Sequence, residues 1–180
     1  MQQLILGNLN YSSWSLRALL VLRTAGIAVN EEVLPLGVAG TKEKVIELTG
    51  QHRAPALVTD ELIVHDSLAI TEWAAEQVPA GKVWPADSTA RARARSLCAE
   101  MHGGFLELKT HMGVDIRSRK PAPEMTDALK EEIERVIEIW TNTLDQFGGD
   151  GPFLFGAWSA ADAFFMPVVT RFRTYGVSLP

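Results

Sequence analysis

The run Val78-Pro79-Ala80-Gly81-Lys82-Val83-Trp84-Pro85 interrupts the hydrophobic period with two prolines and a glycine, and the pattern differs on its two sides. Before it, short apolar runs of strand length alternate with longer stretches at helical spacing. After it, no strand pattern returns. A chain whose period changes in this way is expected to fold as a small α/β domain over 1–78, a linker over 79–87 and an all-helical domain over 88–180.

Ahead of the break the elements read β-α-β-α-β-β-α. Leu4-Ile5-Leu6 is a buried strand, and Leu16 to Ala25 carries Leu16, Leu19, Leu20 and Leu22 at helical spacing until Gly26 stops it. Val29 to Leu36 is a second strand, placed at an edge because Pro35 lacks a ladder donor. Thr41 caps a short helix to Leu48. Ala56-Leu57-Val58 and Leu62-Ile63-Val64 flank Thr59-Asp60-Glu61 as a hairpin, and Asp66-Ser67 opens a helix containing Leu68, Ile70, Trp73 and Ala74.

Beyond the break, Thr89 to Met112 reads as one helix, weakened or bent at Gly103-Gly104. Asp127 to Phe147 is the clearest helix, with Leu129, Ile133, Val136, Ile137, Trp140, Leu144 and Phe147 on one face and Gly148-Gly149 as its stop. Ser159-Ala160-Ala161-Asp162 is a capping box ahead of Ala163 to Val169, with Pro167 inside that helix or ending it. Arg91, Arg93 and Arg95 alternate around their helix and read as solvated. Trp73, Trp84, Trp140 and Trp158 read as packing, and Cys98 as buried and inert.

Composition narrows the partners. At 47% hydrophobic over 180 residues the chain can bury a core, and a net charge of −5 lacks the basic footprint of a nucleic-acid or anionic-membrane binder. No apolar run reaches the roughly 18 residues of a membrane span, and Met1-Gln2-Gln3 lacks the basic start of a signal peptide. One cysteine allows neither an intramolecular disulfide nor a multi-cysteine metal site. The expectation is a cytoplasmic protein with a small-molecule ligand and no metal, nucleic-acid or membrane partner.

One stretch points to chemistry. Asn8-Leu9-Asn10-Tyr11-Ser12-Ser13-Trp14-Ser15-Leu16-Arg17 is a strand-to-helix turn, where unpaired backbone N–H groups and the helix dipole favour an anion. An ordinary serine N-cap accounts for the same residues.

The turn 10–17, the Ala54-Pro55 pair before the third strand, Asp66-Ser67 before the third helix and the late capping box together resemble a glutathione transferase. The turn in particular is similar to that of a bacterial, serine-type subfamily, and the resemblance runs over essentially the whole chain. It implies a thioredoxin-like N-terminal domain that binds glutathione as co-substrate, a helical domain that supplies most of the pocket for a small apolar electrophile, and a homodimer. A cis Ala54-Pro55 bond would expose the backbone of Ala54 to pair with a peptide-like ligand. Ser67 and its neighbouring N–H groups would hold the γ-glutamyl carboxylate, Asp66 the ammonium, and Arg53 a ligand carboxylate, while Asp66 and Ser67 would cap their helix in either case.

The glutathione thiol must become a thiolate to react, and a hydroxyl at the helix start can stabilise that anion by donating to it. Ser12 is the first choice of donor, then Ser13, then Tyr11. Ser12 and Ser15 have the spacing of a C-x-x-C pair but no sulfur, which argues against a dithiol reductase. His102, in Glu100-Met101-His102-Gly103-Gly104, resembles the same subfamily and would line the second substrate's pocket, or is a buried structural histidine. The alternative to an enzyme is a non-catalytic ligand-binding or interaction module of the same fold. Relatives usually continue past the equivalent of Pro180 with further helices, so the expectation is either a C-terminal truncation or a sequence that gives only the ordered residues.

Overall fold

The computed structural model describes residues 2–179. Two compact units divide between Val83 and Trp84.

The first unit holds a four-stranded sheet in the order β2-β1-β3-β4, made of β1 (Gln3–Gly7), β2 (Asn30–Leu34), β3 (Ala56–Val58) and β4 (Ile63–His65). β1 runs parallel to β2 and antiparallel to β3, which is antiparallel to β4. Leu4, Ile5 and Leu6 are all fully buried although their side chains alternate in direction, so both faces of the central strand are covered. β2 is indeed an edge, with Pro35 just outside it.

Helices α1 (Ser13–Ala25), α2 (Thr41–Thr49) and α3 (Ser67–Glu76) complete this unit, with α1 packed on α3. α1 starts three residues earlier than its apolar spacing indicates, because Ser12 caps it. It ends on left-handed Gly26, whose N–H reaches Arg23 O while Ile27 N–H reaches Leu22 O. Thr41 does not cap α2. Gly40, at φ +85°, holds that position, and the Thr41 hydroxyl turns back to donate to Pro35 O at 2.7 Å. β4 lies one residue later than expected, since Leu62 belongs to the turn, where its N–H donates to Thr59 Oγ1 at 3.0 Å and its carbonyl accepts from Thr59 N–H at 2.9 Å.

The second unit is helical apart from two isolated bridges, Phe153 with Gly156 and Phe155 with Ala157. Its helices are α4 (Ser88–Gly103), α5 (Leu106–His111), α6 (Asp127–Thr143) and α7 (Ala160–Tyr175). The expected helix from Thr89 to Met112 is broken outright at Gly104 and left-handed Phe105. Groups from elsewhere satisfy both broken ends. Lys109 Nζ donates to the carbonyls of Met101 and His102 at 3.0 and 3.1 Å and to that of Gly104, closing the end of α4 with a cation. Glu132 of α6 accepts from the N–H groups of Glu107 and Leu108 at 3.3 and 2.7 Å, the cap that Phe105 cannot supply.

α6 buries Leu129, Ile133, Val136, Ile139 and Thr143, then loosens into a π turn over Leu144–Gly148. That turn carries Leu144 off the apolar face, leaving it 43% exposed, and Ile139, which the apolar spacing leaves out, is fully buried in the core. Pro167 sits inside α7, which continues to Tyr175. Trp140 meets Phe165 and Phe172 edge-on at 6.0 and 5.5 Å between ring centroids. Arg91 and Arg95 are more than solvated. Arg91 Nη1 donates to Pro85 O and Ala86 O at 3.1 and 2.7 Å, and the Arg95 guanidinium lies 5.4 Å over the buried Trp84 ring. Cys98 is buried as expected. No described helix is long and apolar enough to cross a membrane.

The start of α7 rests on one carboxylate. Asp162 accepts from Ser159 N–H at 2.8 Å, from Ser159 Oγ at 3.1 Å and from Leu154 N–H at 3.1 Å. Asp162→Ala should therefore lower stability by about 1–3 kcal/mol in urea unfolding, the scale of a lost cap with its donors left unpaired, and Asp162→Asn should recover part of it.

Candidate functional site

The first unit contains a cleft of about 300 Å³ at the end of the β3–β4 hairpin. Arg53, Ala54, Pro55 and Asp66 line it, so four of the expected ligand-binding residues come together, three from one loop and the fourth from beyond the hairpin. The register explains how. Ala56 pairs with His65, so the residues just outside the ladder, Pro55 and Asp66, end up side by side. The Ala54–Pro55 bond is cis. The loop before it is anchored at the end of α2, where the Thr49 hydroxyl donates to Val45 O at 2.7 Å and accepts from Gln51 N–H at 3.0 Å.

Trp14, His52 and His65 also line the cleft, and none was singled out from the sequence. Trp14 is held from behind. Fully buried Arg17, one helical turn along α1, sets its guanidinium 4.9 Å from the indole centroid. A Trp and an Arg three apart on one helix were the available signal. The histidines gave none, because only the hairpin register and the Gly50 turn bring them to the cleft.

Asp66 caps α3, with its carboxylate accepting from Leu68 N–H at 2.8 Å. It does so at φ +78° and ψ 138°, a positive-φ conformation unfavourable for a residue with a Cβ. Ser67 follows as the first helical residue and is fully buried. Its hydroxyl meets no hydrogen-bond partner among the described residues, an uncommon state for a buried polar group. The cleft thus combines the Arg53 cation, the Asp66 carboxylate and a helix N-terminus. That mixture suits a ligand carrying both charges.

At the α1 turn, Asn8 O accepts from the N–H groups of Tyr11 and Ser12 at 3.0 and 2.8 Å. Tyr11 is 54% exposed, whereas Ser12 and Ser13 are nearly buried, and none of the three lines the cleft that Trp14 enters. Ser12 is the N-cap of α1, and its Oγ accepts from Ser15 N–H at 3.2 Å. The Ser12 and Ser15 hydroxyl oxygens are hydrogen-bonded at 2.9 Å, and Ser15 Oγ accepts from Gly7 N–H at 2.8 Å. His102 lies in the other unit, in the last turn of α4, with its ring 6.5 Å from that of Phe164. No group of three acidic, histidine or cysteine side chains is placed to hold a metal among the described residues.

The comparisons with known proteins bear on this geometry. A family model described as the glutathione S-transferase N-terminal domain matches residues 11–77. That span includes the α1 turn, the cleft loop and the start of α3. Over residues 11–77 the chain is thus similar to a glutathione S-transferase N-terminal domain. Among solved structures, a glutathione transferase homologue from a Burkholderia, with bound glutathione, superposes with a TM-score of 0.72 at 23% identity, covering 99% of this chain and 84% of that one. A bacterial maleyl pyruvate isomerase of the Zeta class gives 0.72 at 22% identity, over 98% and 84%. A Tau-class enzyme from mango gives 0.69 at 20% identity, over 99% and 80%. At these identities the superpositions establish the fold, a thioredoxin-like domain followed by an all-helical one. No curated protein gives a significant match.

Asp66 offers a test of the α3 start that needs no ligand. Asp66→Gly loses the cap but relieves the positive φ, whereas Asp66→Ala loses the cap and keeps the strain. Urea unfolding should find the glycine variant more stable than the alanine variant by about 1 kcal/mol.

Proposed function

We propose that the first unit binds glutathione in the cleft beside Asp66 and that the chain is a glutathione transferase, stabilising the bound thiol as a thiolate for attack on a small, largely apolar electrophile. The observation that carries the binding is the orphaned Ser67 hydroxyl next to Asp66 at the start of α3. A ligand carboxylate at that helix start would accept from it and from the adjacent N–H groups, Asp66 would face the ligand's ammonium, and Arg53 a second carboxylate. The backbone of Ala54 lies just before the β3 ladder, where an extended ligand can pair with it.

Of the three candidate hydroxyls, Ser12 has the strongest support as donor to sulfur. Its cap position puts it at the positive end of the α1 dipole, and its near-complete burial strengthens a hydrogen bond to an anion. Ser13 and Tyr11 follow in that order. Attack forms a sulfur–carbon bond, with the electron pair displaced onto the electrophile's leaving group or conjugated acceptor and the thiol proton passed to solvent. His102 is proposed for the second substrate's pocket, on the resemblance of its surrounding sequence. A cytoplasmic homodimer completes the reading. The exposed Leu62 and Ile63 at the edge of the sheet are compatible with pairing, and a stable monomer in sedimentation at micromolar concentration would reject it.

Titration calorimetry with glutathione tests the binding site. Ser67→Ala and Asp66→Asn, which keeps the cap and removes the charge, should each weaken affinity by about 1–3 kcal/mol. Equal affinity in both variants and the wild type would reject the site.

The catalytic step has its own readout, the thiolate absorbance of bound glutathione against pH. It should show ionisation at a lower pH than in free glutathione, and Ser12→Ala should abolish that shift and slow turnover on the order of 10²-fold while leaving binding nearly unchanged. A non-catalytic module predicts binding with no shift in any variant. A shift lost only in Ser13→Ala would move the donor by one residue.

A further inference from the structure

We propose that Ser15 is the positioning residue of the thiol site: its hydroxyl donates to Ser12 Oγ and so leaves the Ser12 proton as the one donor of the pair free to point outward. The inference rests on the reading of Ser12 as the hydroxyl that meets sulfur, and it deepens that reading by accounting for the protons.

Each serine hydroxyl has one proton and two lone pairs. Ser15 is fully buried, and its Oγ has two partners among the described residues, Gly7 N–H at 2.8 Å and Ser12 Oγ at 2.9 Å. Gly7 N–H can only donate. If Ser12 also donated to Ser15, the proton of fully buried Ser15 would have no acceptor among the described residues, the costlier arrangement for a buried polar group. With the direction reversed every group is used. Ser15 accepts from Gly7 and donates to Ser12, and Ser12 accepts from both the hydroxyl and the N–H of Ser15, the latter at 3.2 Å. Both acceptor positions of Ser12 are then filled.

What remains is the Ser12 proton, and Ser12 is the outer member of the pair, 8% exposed against 0% for Ser15. Two accepted bonds also polarise that O–H, which makes it a stronger donor to an anion. The chain Gly7 N–H, Ser15 O–H, Ser12 O–H therefore carries positive charge density from the end of β1 to the helix start. It leaves the Ser12 proton directed out of the pair, available to a bound thiolate. A serine at the cap alone would be free to rotate its proton back towards the protein.

The test compares wild type, Ser12→Ala, Ser15→Ala and Ser15→Thr by thiolate absorbance of bound glutathione against pH. Binding of S-methylglutathione, which has no ionisable thiol, is measured in parallel. Ser15→Ala should raise the thiol midpoint by on the order of one pH unit, the scale of one lost hydrogen bond to an anion, with S-methylglutathione affinity changed by less than about twofold. Ser15→Thr keeps the hydroxyl and should keep the shift. Arg53, His52, His65 and Asp66 are common to all four proteins, so their charges cancel in the comparison.

A wild-type protein without a shift, or a shift that survives Ser12→Ala, overturns the reading of Ser12 and this inference with it. A shift lost in Ser12→Ala but intact in Ser15→Ala overturns the inference alone. If Ser15→Ala does not fold, Ser15→Cys takes its place, since a thiol is a weak donor of similar shape. Its midpoint should lie above that of Ser15→Thr, and equal midpoints overturn the proposal.

Discussion

The pairing of Ala56 with His65 decides which groups of the first unit line its cleft. β3 and β4 are three residues each, so the ladder has almost no length to spare, yet it sets the loop around Ala54 directly against the start of α3. A slip of one residue would exchange the faces of the strand and move Asp66 off the cleft. The register is held from both sides. Ala56 and Leu57 are buried in the pairing with β1, and the turn is closed by Thr59, whose hydroxyl donates to Leu62 O at 2.8 Å and accepts from Leu62 N–H.

That register also marks the limit of what the sequence reveals. The hairpin was legible from two apolar triplets around a polar turn. Its exact start was not, because Leu62-Ile63-Val64 is apolar throughout and offers no alternation to say which residue opens the strand. The one-residue difference hides His65 from a sequence reading, since it joins the cleft only once it stands opposite Ala56. Arg53, Ala54, Pro55 and Asp66 were legible because a proline pair and a capping aspartate carry local signals that survive without knowledge of the register. Trp14 was missed for another reason. Its role comes from Arg17 behind it, and a contact between two helix residues competes with the many apolar contacts the same helix makes.

In the helical unit the same division holds between local and distant causes. The capping box at Ser159 and Asp162 was readable because both halves lie within four residues. The break between α4 and α5 reads from the sequence only as a weakened or bent helix, since two glycines alone do not say whether the chain can stop there. It can stop because Lys109 reaches back to the carbonyls ending α4 and Glu132 arrives from α6 to cap α5. Those partners are five or more residues away or on another helix. Helix propensity along the segment contains no trace of them.

Capping and ligand binding at a helix start are often weighed as rival accounts of one serine, and the starts of α1 and α3 show why they need not compete. At α3 the cap is Asp66, so Ser67 is not consumed by the helix, and its hydroxyl is left buried with no group among the described residues to meet it. At α1 the cap is Ser12 itself, but capping draws on a lone pair, and a hydroxyl that accepts from the helix still has its proton to give. An aspartate or asparagine in place of Ser12 would cap α1 as well. Neither would return a hydroxyl proton to the site, so helix stability alone gives no reason to prefer serine there, whereas a requirement for one acceptor and one donor on the same atom does.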